Sequence, residues 1–262
     1  MINHPQREQI NMLQKKINET KYFQFPKLSQ YPEINHGIFT RHGGVSEGKY
    51  KSLNIGNNVG DSSDKVSDNK KIILKIIGGK TLVTLKQIHS SHVTDYGNDK
   101  TSDEPVEADA VITDIKGATL LIQTADCQAI LLYDPIKKVI ANIHSGWKGS
   151  INNIIGNTVN LMVANYNSNP SDISAGIGPS LGQCCAEFTN YELEIPEKFW
   201  QYKNENNHFN FWALSHDQLF EAGILKDNIE ISKFCTKCNQ DLFFSYRRDK
   251  VTGRLANMIS II

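Results

Sequence analysis

The chain has 262 residues, enough for one large domain or two small ones with ample core. Its 28 basic and 28 acidic side chains cancel, so nothing announces a nucleic-acid or membrane-surface partner. No apolar run nears the roughly 20 residues of a bilayer-spanning helix. The first residues are polar and lack a signal-peptide core. Five cysteines, an odd count, fit a reducing cytoplasmic compartment better than secretion, with one internal bridge still open to the chain.

Residues 1–20 carry few apolar groups and read as a loose leader or a short surface helix. Residues 1–30 are taken as a poorly defined leader to a single domain spanning 1–262. Gly37-Ile38-Phe39-Thr40 is a short strand leading into Arg41-His42-Gly43-Gly44. Residues 49–64, rich in Gly, Asn, Ser and Asp, read as loop. Ile72, Ile73, Ile76 and Ile77 recur at helical spacing over 64–77, and Gly78-Gly79 ends that helix. Residues 82–89 form a strand-like run closing on His89.

The middle of the chain is strand-rich. Residues 110–112, 119–122, 129–133 and 139–143 are apolar runs, with 134–138 as a hairpin loop between the last two. Cys127 and His144 then bracket one antiparallel hairpin and meet at its open end. Helical periodicity follows over 150–166, a strand over 173–177, a short helix over 215–223 and a closing strand over 255–262. Strands cluster and only partly alternate with helices. That pattern predicts an α+β fold, an α/β sandwich with mixed sheets flanked by helices.

Three ligand candidates end strand-like runs: His89, Cys127 in Thr124-Ala125-Asp126-Cys127, and His144 in His144-Ser145-Gly146-Trp147-Lys148-Gly149. Two imidazoles and a thiolate suit zinc, and three protein ligands leave a coordination position open for chemistry. The plainer alternative is a set of core His and Cys groups. Gln87 and Asp126 are candidates to orient the ligands; Asp126 alternatively caps a turn. The glycine turn at Gly146 opens a helix, and with Lys148 it makes a cradle for an anion or simply a helix start. Arg41 is either a bidentate phosphate ligand or a solvated surface arginine. His36, His42 and His92 are either acid–base groups or ordinary polar residues. Cys235-Thr236-Lys237-Cys238 lacks a well-spaced second pair, because adjacent Cys184-Cys185 chelate one metal awkwardly, so all four read as structural thiols. Phe243-Phe244-Ser245-Tyr246-Arg247-Arg248-Asp249 either lines a site for a flat ligand or forms a helix with a buried aromatic face.

Several stretches in fixed order resemble the YfiH-like family, the multicopper polyphenol oxidoreductase (laccase domain) proteins also called peptidoglycan editing factors. They include 36–46, Ser52-Leu53-Asn54-Ile55-Gly56, Lys86-Gln87-Ile88-His89, Ala108-Asp109-Ala110, the two ligand segments, Gly176-Ile177-Gly178-Pro179-Ser180, and 243–248 with Thr252-Gly253-Arg254. The resemblance implies a purine nucleoside phosphorylase acting on adenosine, inosine and methylthioadenosine with phosphate, with adenosine deaminase activity beside it. It implies zinc, with copper the weaker choice, on His89, Cys127 and His144, which are also the catalytic set. Arg41, Asn54, Lys148, Gly149 and Arg247 are the expected phosphate and substrate binders. Partners are a small nucleoside and phosphate, with no nucleic acid and no membrane, and no oligomeric state is set. Two departures stand out: Lys148 replaces the family's arginine and lacks its bidentate fork, and Ala186 replaces a tyrosine. Two rival chemistries remain: a Cys-His hydrolase editing peptidoglycan precursors, with Cys127 as nucleophile and His144 as base, and a copper polyphenol oxidase. The oxidase wants His-x-His pairs, and the eight histidines form none.

Overall fold

A computed structural model describes residues 12–97 and 105–262. The elements run β1 (Leu13–Ile17), β2 (Thr20–Gln24), β3 (Ile34–Phe39), α1 (Ser63–Ile77), β4 (Thr81–Thr84), β5 (Val93–Asp95), β6 (Ala110–Thr113) and β7 (Ala118–Thr124). They continue with β8 (Gln128–Asp134), β9 (Val139–Ser145), α2 (Trp147–Ile151), α3 (Ile154–Tyr166) and β10 (Ser174–Ile177). The remainder is α4 (Tyr191–Glu194), α5 (Phe211–Glu221), β11 (Ile229–Ile231), α6 (Tyr246–Asp249) and β12 (Leu255–Ile261). Two mixed six-stranded sheets result, ordered β1-β2-β3-β12-β7-β4 and β11-β10-β8-β9-β6-β5.

The sheets face each other. Strand periodicity sends alternate residues to opposite faces, and here both faces are covered, so the runs read as continuously apolar. On β8, Ala129, Leu131 and Tyr133 enter the inter-sheet core with Phe25, Ile122 and Ile259. Ile130 and Leu132 point outward onto Ile155 and Val159 of α3 and Leu219 of α5. On the other sheet, Leu121 and Met258 meet Ile73 and Ile77 of α1. The result is four layers, helix, sheet, sheet, helix, as the mixed-sandwich expectation requires. A buried asparagine clasps the sheets: Asn142 donates to the Leu120 and Asn257 carbonyls at 3.0 and 2.9 Å.

Two local expectations change. Residues 13–24 form the β1–β2 hairpin, not a loose leader or helix. Asn18 turns it at a φ of 52°, a conformation Asn tolerates. Every residue of β1 is exposed, so this edge strand carries no apolar signature. The leader expectation for residues 1–11 lies outside the described residues. The helix over 150–166 starts earlier, at Trp147, and breaks at Asn153, whose φ of 54° and side-chain bond from the Gly156 N–H begin α3 afresh. The expected closing strand forms, as β12, and lies centrally between β3 and β7. No helix among the described residues is long and apolar enough to cross a membrane.

Candidate metal centre and its cavity

The β8–β9 hairpin pairs Ala129 with His144, so Cys127, two residues before Ala129, lies beside His144 at the open end. The third ligand arrives differently. Beyond β4 the chain leaves the sheet and wraps the carboxylate of Asp109, which sits just before β6. Oδ2 of Asp109 accepts from the Ser90 N–H (2.6 Å), the Ser90 hydroxyl (2.8 Å) and the Ile88 N–H (3.3 Å). Oδ1 accepts from the His89 N–H (3.0 Å) and from Nδ1 of His144 (2.8 Å). One buried carboxylate therefore fixes both imidazole-bearing segments. His89 and Asp126 hold φ values of 60° and 95°, a costly region for non-glycine residues that persists only where surrounding contacts enforce it.

The ligand atoms of His89, Cys127 and His144 lie within 4.8 Å of one another. Sγ of Cys127 is 4.0 Å from Nε2 of His89, and the two imidazoles meet edge to face at 4.9 Å. The bond from His144 Nδ1 to Asp109 leaves Nε2 as its ligand atom, the carboxylate–histidine arrangement of metal sites. Burial alone would raise the Cys127 thiol, but the charge and hydrogen bond of His144, with help from His89, bring it down to about 6. Burial opposes charge on His144 as well, and the Cys127 thiolate and Asp109 overcome that and hold it at about 9. Asp109, despite burial, is held down at about 2 by His144 and Ser90. Two imidazoles and a thiol converging within 4.8 Å fit a metal of borderline softness, and Cys127 and His144 hold each other as thiolate and imidazolium, a pair that sheds the Nε2 proton on ligating a metal. Gly146 makes the approach possible: a Cβ there would lie 3.1 Å from His89 Cδ2 and 3.2 Å from Cys127 Sγ.

The three ligands open on a cavity of about 640 Å³, which Lys70, Arg254, Gln87, Gln123, Asn58 and Tyr246 also line. Lys70 donates to Oδ1 of Asn57 at 3.1 Å. The guanidinium of Arg254 is braced on the carbonyls of Thr252 and Gly253. Gln87 is locked in a reciprocal pair with the Gln123 backbone, 2.9 Å each way.

None of the five expected phosphate and substrate binders lines this cavity. Arg41 donates to the Lys51 and Gln240 carbonyls and stacks on Phe244, so it ties loops together. Asn54 is fully buried, accepts from the Gly56 and Arg254 N–H groups, and donates to Asp61. Lys148 is exposed, its ammonium over the Trp147 ring. Gly149 is a packing position, where a Cβ would meet the Ser90 carbonyl at 3.3 Å. Arg247 donates to the Cys185 and Glu187 carbonyls. Asp126 accepts from Thr236 and the Arg247 N–H, a loop fastener instead of a ligand-orienting group. His36, His42 and His92 each bond main-chain groups. Asp109 and Lys70 carry no site role in the sequence reading, and Tyr246 enters it only within the segment offered as the lining of a flat ligand's site or as a helix with a buried aromatic face. Asp109 lies in the Ala108-Asp109-Ala110 motif, but its role depends on three segments that only the fold brings together.

A helix-flanked double sheet with a His-Cys-His cluster at a cavity wall defines an α+β protein equipped to bind a metal. The chain belongs to the family described as multi-copper polyphenol oxidoreductase laccase, whose model matches residues 35–262. It is 30% identical over 256 residues to a purine nucleoside phosphorylase of Bacteroides thetaiotaomicron, covering 90% of this chain and 95% of that protein. It is 31% identical over 238 residues to the purine nucleoside phosphorylase YfiH of Escherichia coli, covering 85% and 92%. Among solved structures, the hypothetical protein YfiH of Bacillus licheniformis matches with a TM-score of 0.84 at 28% identity, covering 92% of this chain and 96% of that one. YlmD of Geobacillus stearothermophilus matches at 0.83 and 27% identity, covering 96% and 99%.

Proposed function

We propose that this chain is a cytoplasmic, zinc-dependent purine nucleoside phosphorylase whose metal ligands are His89, Cys127 and His144. The observation that carries the reading is the ligand cluster opening on a cavity lined by three cations, Lys70, Arg254 and a Lys86 that is paired with Glu107. An anion and a flat polar ligand fit such a space together. The names of the relatives support the activity, and five unpaired cysteines support a reducing compartment.

Zinc, when bound, supplies a Lewis acid with one open position. Asp109 keeps His144 in the tautomer whose Nε2 lone pair faces the site. Arg254 and Lys70 replace Arg41 and Lys148 as the phosphate holders, and they present an oxygen to the anomeric carbon of the nucleoside. That C–O bond forms as the C–N bond to the purine breaks, and the base departs with the proton that the attacking hydrogenphosphate gives up, because its anion is a poor leaving group. The amides of Gln123 and Asn58 bind the purine edge. Deamination of adenosine belongs to the same reading as a side activity.

The test is chromatography after incubation with adenosine, inosine or methylthioadenosine, with and without phosphate and chelator. Free base and ribose 1-phosphate, or its methylthio analogue, in amounts that depend on phosphate and fall with chelator are expected. Inosine from adenosine without phosphate reports the deaminase. Unchanged nucleosides in every tube refute the enzyme.

A second reading, a Cys-His hydrolase editing peptidoglycan precursors, is favoured by one feature: Cys127, His144 and Asp109 stand in the nucleophile–base–carboxylate order. Amide hydrolysis by metal-free protein, lost on alkylation of Cys127, would select it. A multicopper oxidase centre finds less support, because the metal-competent groups among the described residues include at most two histidines each.

A further inference from the structure

The C-x-x-C pair and the adjacent cysteines do converge. Sγ of Cys238 lies 3.6 Å from Sγ of Cys184 and 3.5 Å from Sγ of Cys185, and all four sulfurs of Cys184, Cys185, Cys235 and Cys238 lie within 4.8 Å of one another. We propose that these four cysteines bind one zinc ion as a closed structural site, separate from the His-Cys-His centre.

Zinc–thiolate bonds of about 2.3 Å in a tetrahedron place the sulfurs about 3.8 Å apart, close to the spacing found. A disulfide needs about 2.05 Å between two of them. The donor set is wholly soft, which selects zinc over hard cations and leaves no vacant position for chemistry. The two segments are built to meet. Ser180 and Cys235 form a parallel bridge, with the Ser180 N–H on the Phe234 carbonyl and the Thr236 N–H on the Ser180 carbonyl. Gly182 permits the contact: a Cβ there would lie 2.8 Å from the Trp212 ring and 3.2 Å from Cys235 Cβ. Adjacent cysteines reach one point because the 182–186 turn is wound tightly, both the Cys185 and the Ala186 N–H donating to the Gly182 carbonyl. The Gly182 and Cys238 N–H groups donate to the Cys235 sulfur, as metal-binding knuckles do. Four thiolates on a divalent ion leave two negative charges, and cations stand close by. Arg247 donates to the Cys185 carbonyl, and Arg248 donates to the Thr236 and Lys237 carbonyls.

The site would fasten two loops that also hold the active cavity. Thr236, inside the C-x-x-C, donates to Asp126 at 2.6 Å, and Asp126 precedes the ligand Cys127. Losing the ion therefore loosens the backbone behind one ligand of the other centre.

Cys127 is the fifth cysteine, so a Cys127→Ser chain keeps only these four thiols. That full-length variant, purified under reductant without chelator and loaded with cobalt(II), should show intense thiolate-to-cobalt charge transfer and tetrahedral d–d bands. It should also carry about one tightly held zinc as isolated, the stoichiometry of a four-cysteine site. Adding Cys184→Ser and Cys238→Ser, both at exposed positions, should abolish the bands and the zinc while the far-ultraviolet circular dichroism stays folded. A Cys127→Ser chain that gives no cobalt–thiolate band overturns the proposal. So does an intact mass, under reductant, lower by two hydrogens, which would mean a disulfide. Neither result bears on nucleoside cleavage, which is scored on the wild-type chain.

Discussion

Asp109→Asn is the sharpest test of the candidate centre, because it removes one charge and changes the shape hardly at all. The carboxylate accepts five hydrogen bonds, from Ile88, His89, Ser90 twice and His144. An amide keeps one accepting oxygen and turns the other position into a donor. If the NH2 group takes the Oδ2 position, it confronts the Ile88 and Ser90 N–H groups. In the Oδ1 position it orphans the His89 N–H and confronts the Nδ1–H of His144 with a donor, so the neutral tautomer that ligates through Nε2 is disfavoured. Either way about two donors, most of them half-buried, lose their partner at about 1–2 kcal/mol each, so unfolding free energy should fall by about 2–4 kcal/mol. Urea titration with chelator present isolates this from any metal contribution. Loss of the partner that sets the His144 tautomer should also weaken metal affinity about 10–100-fold, read by competition with a chromophoric chelator. The Cys127 thiol should rise above about 6 as the positive charge on His144 weakens. A variant within about 0.5 kcal/mol of wild type, with unchanged metal affinity, would refute a load-sharing role for Asp109.

Three further outcomes follow from geometry. Arg254→Met should raise the KM for phosphate about 10-fold or more, the loss of one charge-assisted bond, with nucleoside KM little moved; phosphate saturation at the wild-type concentration would remove Arg254 from the anion site. Gly146→Ala keeps an ordinary backbone (φ −76°, ψ 171°) but puts a methyl against His89 and Cys127. It should leave metal-free stability intact and weaken metal binding about 10-fold, because ligation tolerates only about 0.2 Å; wild-type chelator resistance would argue against the centre. Burial pushes the His36 imidazole from 6.5 down to about 3, where Nε2 accepts from the Phe25 N–H at 2.8 Å. Its folded pKa lies below its unfolded one, so the unfolded chain takes the proton first and stability falls as pH drops from 6.5 toward 3. The slope is about 1.4 kcal/mol per pH unit, or about 2 kcal/mol by pH 5. In His36→Gln this component vanishes, and stability curves that run parallel between pH 7 and 5 would contradict it.

What the sequence makes legible follows from how far apart the interacting residues lie along the chain. The β8–β9 hairpin is local, so its apolar runs and turn announce both the strands and the meeting of Cys127 with His144. The helix α1 is legible for the same reason, from isoleucine spacing to the left-handed Gly78 at φ 85°. The β1–β2 hairpin is hard to see because β1 is wholly exposed, and only Tyr22 and Phe23 of β2 carry an apolar signal, buried in the core where β2 pairs with β3. Motif arginines and lysines mislead in a specific way: a guanidinium in a glycine-rich loop is equally suited to phosphate and to loop carbonyls. Arg41 and Arg247 are taken by carbonyls of the segments they tie together. Lys70 escapes notice because it lies on the helix that the apolar pattern defines, and only the docking of α1 turns it toward the cavity. Asp109 is the extreme case. Its environment comes from 88–90 and from His144, segments apart in sequence that meet where the β4 extension crosses the end of β9, so chemistry there is written by topology.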